Sequence, residues 1–322
     1  MADFNQTDTH TIDASETSQQ ERPRQVAVTG ASGMIGAEVV KRLTAQGRPV
    51  IKLVRGTPKS TVNEAQWNVD EGLVNPTRLE GVSGVIHLAG ENIAGGRWTE
   101  ERKRRIRNSR VQGTERLSRD LAALHRKPDV LVCASAIGYY GDRGDTILDE
   151  TSPPGHGFLP DVCLEWEAAT KPAADAGIRV VNLRIGVVIS TQGGALGKML
   201  MPFKMGVGGK VGSGKQYWSW ISLDDVVGAL LHALNCEELS GPVNAVSPHA
   251  MTNAEFTKVL GGVLHRPAVI PMPSFLAKAA LGQMADDLLL ASAHVVPKKL
   301  VETGYQFQYP QLRECLEHEL NG

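Results

Sequence analysis

A glycine-rich segment near the start of the chain has the residue types and spacing to hold an anion. Gly30, Gly33 and Gly36 form the pattern G-x-x-G-x-x-G. Glycine lets the chain turn tightly there, brings the backbone close to a pyrophosphate and lets a following helix pack closely on the preceding strand. The alternative interpretation is a tight turn without a ligand. We expect the ligand contacts to come from Gly30, Ser32, Gly33, Met34, Ile35 and Gly36.

The elements on both sides of this segment favour the ligand-binding interpretation. Val26-Ala27-Val28 is a short apolar run that is typical of a buried strand. From Met34 to Leu43 the apolar residues recur at helical spacing. A glycine-rich turn that joins a strand to a helix is the fingerprint of a dinucleotide-binding unit.

The residues after the second predicted strand indicate which dinucleotide binds. That strand covers residues 50–54, and Arg55 follows it directly. An NAD site places an acidic residue about 20 positions beyond the glycines, but no acidic residue lies between Glu38 and Glu64. A guanidinium group suits the 2′-phosphate of NADP. We therefore predict NADP (NADPH) with Arg55 on its 2′-phosphate, and an exposed basic turn is the alternative.

Further short apolar runs alternate with helical patterns along the chain. They lie at residues 85–88, 130–134 and 180–183. This alternation predicts βαβ units, and hence an α/β fold with a Rossmann-type doubly wound parallel sheet. Beyond about residue 190 the sequence changes to glycine-rich loops and then to a helical stretch punctuated by prolines. This change predicts a smaller C-terminal α/β lobe.

These patterns divide the chain into three predicted parts. Residues 1–24 are polar and are predicted to form a disordered tail. This tail lacks the apolar core of a secretory signal, and its acidic residues argue against a mitochondrial transit peptide. Residues 25–240 are predicted to form the NADP-binding domain. Residues 241–322 are predicted to form a C-terminal domain that completes the substrate lobe.

Composition excludes several classes of protein. The chain has 34 Lys+Arg against 35 Asp+Glu, which gives no overall attraction for nucleic acid or for an anionic membrane. No apolar run approaches the ~18 residues of a membrane span. The four cysteines are scattered and the histidines show no ligand spacing, so we expect no metal site and reduced thiols in a cytoplasmic protein. The expected partner is an unknown small-molecule substrate, and the expected state is a monomer or a homodimer.

Several motifs together resemble a known superfamily. The segment Thr29-Gly30-x-x-Gly33-x-x-Gly36 is similar to the fingerprint of the extended short-chain dehydrogenases/reductases of the sugar-nucleotide epimerase type. The run 85–90 resembles their fourth strand, and Val111-Gln112-Gly113-Thr114 resembles their V-x-G-T helix motif. One subgroup, the epimerase-family proteins with a C-terminal domain of unknown function, is resembled most closely. The segments that carry this narrower resemblance are 90–93, Arg97-Trp98, Trp166-Glu167, 219–221 and 252–256.

The resemblance implies an NADP-binding Rossmann domain with a small C-terminal substrate lobe. It places Leu88, Ala89 and Gly90 beside the adenosine side of the cofactor. Arg110 occupies the position before V-x-G-T where relatives often have Asn, so the analogy directs it toward the cofactor. The alternative for Arg110 is a surface arginine, because residues 102–110 carry six cations and no acidic residue.

The catalytic pattern of the superfamily is incomplete in this chain. Short-chain dehydrogenases use a Tyr as the general acid or base, with a Lys four residues later, and a Ser that polarises the substrate oxygen. Ser135 stands just past the strand that begins at residue 130, where that serine is expected. None of the five tyrosines is followed by Lys four residues later. Tyr139 and Tyr140 follow Ser135 closely and are the candidate acids, although structural packing is the alternative for either.

Two function hypotheses remain open at this point. The first is an NADP(H)-dependent oxidoreductase or epimerase-like enzyme with an unknown substrate, and it rests on the nucleotide fingerprint, Ser135 and the second lobe. The second is a catalytically silent NADP-binding regulatory module, and the missing Tyr-x-x-x-Lys pair favours it. Analogy at the level of the fold favours the enzyme.

Overall fold

A sheet of eight strands forms the centre of the molecule in a computed structural model that describes residues 24–321. The predicted disordered tail, apart from Arg24, lies outside the described residues. The strands of the chain are β1 (Val26–Thr29), β2 (Val50–Val54), β3 (Glu64–Asn68), β4 (Gly72–Leu73), β5 (Gly84–His87), β6 (Val130–Ala136), β7 (Ile147–Leu148), β8 (Arg179–Ile185), β9 (Val187–Ile189), β10 (Tyr217–Trp218), β11 (Trp220–Ser222), β12 (Gly241–Ala245), β13 (Met251–Thr252) and β14 (His294–Val295).

Helices connect these strands and cover the sheet. Short 3₁₀ turns occur at Pro76–Leu79 and Ile137–Tyr140, and a π-helical turn occurs at Asp286–Leu290. The α-helices are α1 (Met34–Ala45), α2 (Glu100–Ala122), α3 (Phe158–Ala168), α4 (Lys171–Asp175), α5 (Gly194–Lys204), α6 (Leu223–Asn235), α7 (Asn253–Val263), α8 (Ser274–Leu281), α9 (Gln283–Ala285), α10 (Lys298–Glu302) and α11 (Leu312–Asn321).

The order of the strands confirms the predicted doubly wound sheet. The order is β12-β8-β6-β5-β1-β2-β3-β4, and every pair is parallel except β3 with β4 at one edge. The order in which the chain adds strands reverses at β1, because β2 lies on one side of β1 and β5 lies on the other. In open sheets of this kind, ligands bind in the crevice beyond the carboxyl ends of the strands at that reversal.

Apolar residues on both faces of the sheet explain why helices cover it on two sides. One core contains Val39 and Leu43 of α1 together with Val226 and Leu230 of α6. The core on the other face contains residues from α2, α3 and α4. Strands that are buried on both faces read as continuous apolar runs. For this reason β1, β5, β6 and β8 could be recognised from the sequence.

The smaller lobe has a separate core. Its buried side chains include Leu196 and Phe203 of α5, Phe256 of α7 and Leu316 of α11. The lobe therefore takes residues from both sides of position 240. It also contains the short strand pairs β9–β11 and β10–β13. The domain boundary predicted at residue 240 stays a prediction.

Candidate functional site

The glycine loop between β1 and α1 is closely packed at two of its three glycines. Gly30 has φ +66°, and a Cβ there would lie 2.8 Å from the carbonyl carbon of Leu88. A Cβ on Gly36 would lie 2.2 Å from the Gly30 oxygen. At Gly33 the nearest atom to a Cβ would be 3.3 Å away. Gly30 and Gly36 are thus required by the protein's own packing, whereas a Cβ at Gly33 would need only a small shift of the Gly30 carbonyl group.

A buried hydrogen-bond network ties the end of β1 to the residues that follow β5. The Thr29 hydroxyl accepts from the backbone N–H groups of Leu88 at 2.9 Å and Ala89 at 3.1 Å. The same oxygen lies 2.8 Å from His87 Nδ1. Since Thr29 already accepts twice, its own proton points to His87 Nδ1. The network fixes the backbone of the segment that the resemblance places beside the cofactor.

His87 carries this network across the sheet to helix α2. With Nδ1 accepting, the ring proton is on Nε2, which donates to the Thr114 hydroxyl at 3.1 Å. The Trp166 indole also donates to Thr114, at 2.9 Å. Complete burial lowers the pKa of His87 to about 4, so the ring is neutral near pH 7.

Arg55 lies at the carboxyl end of β2, as the sequence predicted. Arg55 follows β2 directly and is exposed. Within residues 24–321, Arg55 has no hydrogen bond and no ion pair with another side chain. Its guanidinium is therefore available to an external anion.

Arg110 lies beside Gly90, one of the residues that the resemblance places near the cofactor. Its guanidinium carbon is 3.5 Å from where a Cβ of Gly90 would be and 5.0 Å from the centre of the Trp166 ring. One nitrogen donates to the carbonyl oxygens of Glu91 and Ile106. Burial lowers the pKa of Arg110 from its ordinary value. Arg110 is thus not a solvated surface arginine, although six cations share its stretch of α2.

The second lobe reaches over the glycine loop. A Cβ on Gly193 would lie 3.8 Å from the Met34 sulfur, and one on Gly194 would lie 3.9 Å from the Met34 methyl carbon. Lys198 of α5 donates to the Ala94 carbonyl oxygen in the loop after β5. These contacts close one side of the crevice, so a ligand on the loop would lie between the two lobes.

Ser135, at the carboxyl end of β6, is hydrogen-bonded to a charged pair. Its hydroxyl donates to Glu167 Oε1 at 2.7 Å. Arg184 of β8 holds the same carboxylate through Nε at 2.7 Å and Nη2 at 2.8 Å. Burial opposes the charge of Arg184, but its hydrogen bonds to Glu167 raise its pKa above the ordinary value. Ser135 is buried and its hydroxyl proton points to Glu167, so only the lone pairs of its oxygen remain for a further hydrogen bond.

The rings of the two candidate tyrosines lie 5.3 Å apart and both face Arg184, but the tyrosines differ in their hydrogen bonding. The Tyr140 hydroxyl accepts from Arg184 at 3.0 Å and lies 2.7 Å from Asn244 Oδ1. Burial raises the pKa of Tyr140 to about 12. The Tyr139 ring lies 3.5 Å from the Arg184 guanidinium carbon, and its hydroxyl has no hydrogen bond within the described residues. Tyr140 is thus tied into the protein, and the Tyr139 hydroxyl is not.

Sequence reasoning assigned no role to Glu167, Arg184 or His87. Arg184 gave a usable signal, because a charged residue stands inside the otherwise largely apolar run 180–185. Glu167 appeared only as part of a motif that resembles a family. No local pattern joins Glu167 to Arg184 and Ser135, since the three come from α3, β8 and β6.

Metal and membrane signals are absent from the part of the chain that the structure describes. Residues 24–321 contain no cluster of three or more His, Cys, Asp or Glu side chains that could hold a metal ion. In the same range, no helix is both long and apolar enough to cross a bilayer.

A glycine loop at the reversal point of a doubly wound sheet defines the chain as a Rossmann-type α/β protein. Residues 26–245 match the NAD dependent epimerase/dehydratase family, and the chain belongs to that family. Residues 272–319 match a domain of unknown function, DUF1731. The resemblance drawn from the motifs is therefore confirmed.

Individual relatives cover most of the chain. The epimerase family protein Mb2239 of Mycobacterium bovis is 42% identical over 291 residues, which are 90% of this chain and 96% of that protein. The epimerase family protein SDR39U1 of Homo sapiens is 35% identical over 295 residues, or 91% of this chain and 98% of that protein.

Solved structures also match most of the chain. The crystal structure of human SDR39U1 (isoform 2) with NADPH has a TM-score of 0.85 and 33% identity, and the match covers 92% of this chain and 99% of that one. A nucleoside-diphosphate sugar epimerase from Corynebacterium glutamicum has a TM-score of 0.78 and 35% identity. That match covers 92% of this chain and 58% of the other.

Proposed function

We propose that the protein binds NADPH in the crevice beyond β1 and β5 and acts as an NADP(H)-dependent oxidoreductase or epimerase-like enzyme. The observation that carries this proposal is the glycine loop between β1 and α1, in which Gly30 and Gly36 are packed against backbone. Backbone N–H groups at the start of α1 suit a pyrophosphate. The human relative whose structure contains NADPH matches almost the whole chain, which supports the same assignment.

Arg55 is proposed to give the preference for NADPH over NADH. It stands at the end of β2 with no competing carboxylate among residues 24–321. A hydrogen bond to a charged group contributes about 1.5–3 kcal/mol. Because Arg55 is exposed, screening by solvent reduces this value. We therefore expect a preference of about tenfold.

Calorimetric titration with NADPH and NADH tests this proposal. Wild-type protein is expected to bind NADPH about tenfold more tightly, and Arg55→Ala is expected to lose that preference while keeping its NADH affinity. Lys127→Ala is the matched control, because Lys127 is also an exposed cation but lies in the turn before β6. Equal affinity of the wild type for both dinucleotides would contradict the role of Arg55. Failure to bind either would contradict the cofactor site itself.

The reaction centre is proposed to lie at Ser135 and Tyr139. When NADPH is bound, its nicotinamide supplies hydride chemistry. Ser135 donates a hydrogen bond to Glu167, so its oxygen is proposed to accept a hydrogen bond from a hydroxyl of the substrate next to the reacting carbonyl group. The Tyr139 hydroxyl is the proposed proton donor, because it has no partner in the described structure. The Tyr140 hydroxyl is already held by Arg184 and Asn244 and is proposed to position Arg184.

Turnover with a panel of carbonyl compounds, followed by NADPH absorbance, tests the assignment of Tyr139. A positioned acid contributes about 10²–10⁴-fold to the rate, so Tyr139→Phe is expected to lower kcat by such a factor at unchanged NADPH affinity. Tyr140→Phe is the comparison, and it is expected to lower stability because Arg184 and Asn244 lose a partner. Full turnover in Tyr139→Phe would mean that another group donates the proton.

A catalytically silent NADP-binding module is the second candidate. Helix α3 contains neither Tyr nor Lys, so the usual acid–base pair has no counterpart there. Tight NADPH binding without oxidation or reduction of the cofactor by any compound of the panel would favour this candidate.

A reducing compartment, such as the cytoplasm, is proposed for the protein. All four cysteines are free thiols, and Cys133, Cys163 and Cys315 are buried. The relative from Arabidopsis thaliana is named chloroplastic, so the compartment differs among relatives. Fractionation of cells that express the full chain tests this location.

A further inference from the structure

Exposed apolar side chains are concentrated in two segments of the smaller lobe. Thirteen large apolar side chains are exposed in the described part of the chain, and eight of them come from residues 201–207 and 269–276. The most exposed are Val269 at 78% and Phe275 at 67%. We call this surface the apolar face, and it consists of Met201, Met205, Val207, Val269, Ile270, Met272, Phe275 and Leu276.

The two segments of the apolar face are joined by backbone contacts and form one surface. The Ile270 N–H donates to the Gly208 carbonyl oxygen at 3.2 Å, and the Met272 N–H donates to the Lys210 carbonyl oxygen at 2.8 Å. At Gly209 a Cβ would lie 1.9 Å from the Ile270 oxygen, so only glycine permits this approach. A contiguous exposed apolar patch on a folded protein marks an interaction site.

The charged residues within the two segments of the apolar face are all basic. Residues 201–212 and 266–276 contain Lys204, Lys210 and Arg266 and no acidic residue. Lys258 of α7 lies next to them. Arg266 donates only to the carbonyl oxygens of Lys204 and His265. None of these four cations is paired with a carboxylate within residues 24–321.

A cavity of about 440 Å³ lies at the edge of the apolar face, and three of these cations line it. Lys210, Lys258 and Arg266 line it, and Val269 supplies an apolar wall. Thr257 also lines the cavity, and its buried hydroxyl has no hydrogen-bond partner in the described structure. Three cations and an unused hydroxyl suit a phosphate group, and the neighbouring apolar side chains suit hydrocarbon.

We propose that the apolar face docks on the surface of a bilayer that contains anionic phospholipids, with one lipid phosphate in the cavity. Interfacial binding combines burial of apolar side chains with attraction between cations and anionic headgroups. The charge pattern argues against a second copy as the occupant. A two-fold dimer places the same patch on both partners, so the cations would face each other.

Sedimentation of the full chain with phospholipid vesicles tests this proposal. The probes are vesicles of phosphatidylcholine alone and vesicles that also contain phosphatidylglycerol. Wild-type protein is expected to sediment with the anionic vesicles and to be released by salt. Each basic residue near the surface contributes about fivefold to binding, so Lys258→Glu with Arg266→Glu is expected to weaken binding at least about 25-fold.

A second variant tests the apolar contribution separately. Phe275→Ser with Leu276→Ser removes two exposed side chains, so the fold is expected to be retained. Burial of one such side chain corresponds to roughly tenfold in binding, and we expect a loss of at least that size. The matched controls are Leu164→Ser and Lys127→Glu, which change an exposed apolar residue and an exposed cation outside the face. Both controls are expected to bind like the wild type.

Two results would overturn the proposal. One is the absence of binding to anionic vesicles, or binding that neither double variant weakens. The other is a wild-type dimer in light scattering that becomes a monomer in Phe275→Ser/Leu276→Ser, together with no vesicle binding, because the face would then be a protein interface. Neither experiment depends on NADPH, so the outcome is independent of the proposed cofactor site.

Discussion

Protonation of His87 is expected to destabilise the fold as the pH falls from about 6.5 to about 4. The ring is completely buried, and the network leaves it no place for a second proton. Nδ1 already accepts from Thr29, whose oxygen in turn accepts from Leu88 and Ala89. A proton on Nδ1 would set two donors against each other in the segment beside the glycine loop.

The magnitude follows from the difference in pKa between the two states. The pKa of His87 is about 4 in the folded protein and about 6.5 in an unfolded chain. The unfolded state binds more protons between these values, so the stability is complete above about pH 6.5 and is lost as the pH falls. At about 1.36 kcal/mol per pH unit, the loss approaches roughly 3 kcal/mol at pH 4.

Urea unfolding at a series of pH values, compared between wild type and His87→Gln, measures this loss. Other acidic groups contribute to the pH dependence of both proteins, and the difference between the two isolates His87. The difference in unfolding free energy between wild type and variant is expected to shrink by roughly 3 kcal/mol from pH 7 to pH 4. Parallel pH profiles would refute a buried neutral His87.

Further predictions concern the glycine loop and the charged pair. Gly36→Ala is expected to lower the melting temperature and abolish NADPH binding, because the added Cβ meets the Gly30 oxygen. Gly33→Ala, in contrast, is expected to keep the fold. Calorimetry on both variants tests this difference, and equal melting temperatures would contradict it. Glu167→Ala is expected to cost about 3–5 kcal/mol in unfolding free energy, since it leaves the cation of Arg184, whose side chain is only 3% exposed, without a partner. Glu167→Ala with Arg184→Met is expected to recover part of that loss in urea unfolding, and a double variant less stable than the single one would argue against the pair.

The glycine loop and its flanking elements could be predicted from the sequence because each depends on neighbours along the chain. A strand buried on both faces appears as a continuous apolar run. A glycine spacing between such a run and a helical pattern defines a phosphate loop. The position of Arg55 follows directly, because it is the first residue after β2. The class of protein and the expected cofactor were accessible for this reason.

The arrangement around Ser135 depended on the tertiary structure. Glu167 and Arg184 are 17 positions apart, and Tyr140 and Asn244 are 104 positions apart. Such pairs form only when folding brings α3 and the turn after β6 against β8 and β12, and no local pattern specifies which partner lies opposite. The same reason explains why the sequence could place Tyr139 and Tyr140 near Ser135 but could not distinguish their roles.

The distribution of charge also depends partly on the sequence alone and partly on the tertiary structure. The composition determined a net charge of −1, and with it the expectation of no overall attraction to an anionic surface. Only the folded chain brings residues 201–212 against residues 266–276 and places Lys258 beside them. Net charge sums over the whole chain, whereas the attraction at a surface falls off within about one Debye length. A cationic and apolar face therefore exists on a chain whose composition is neutral.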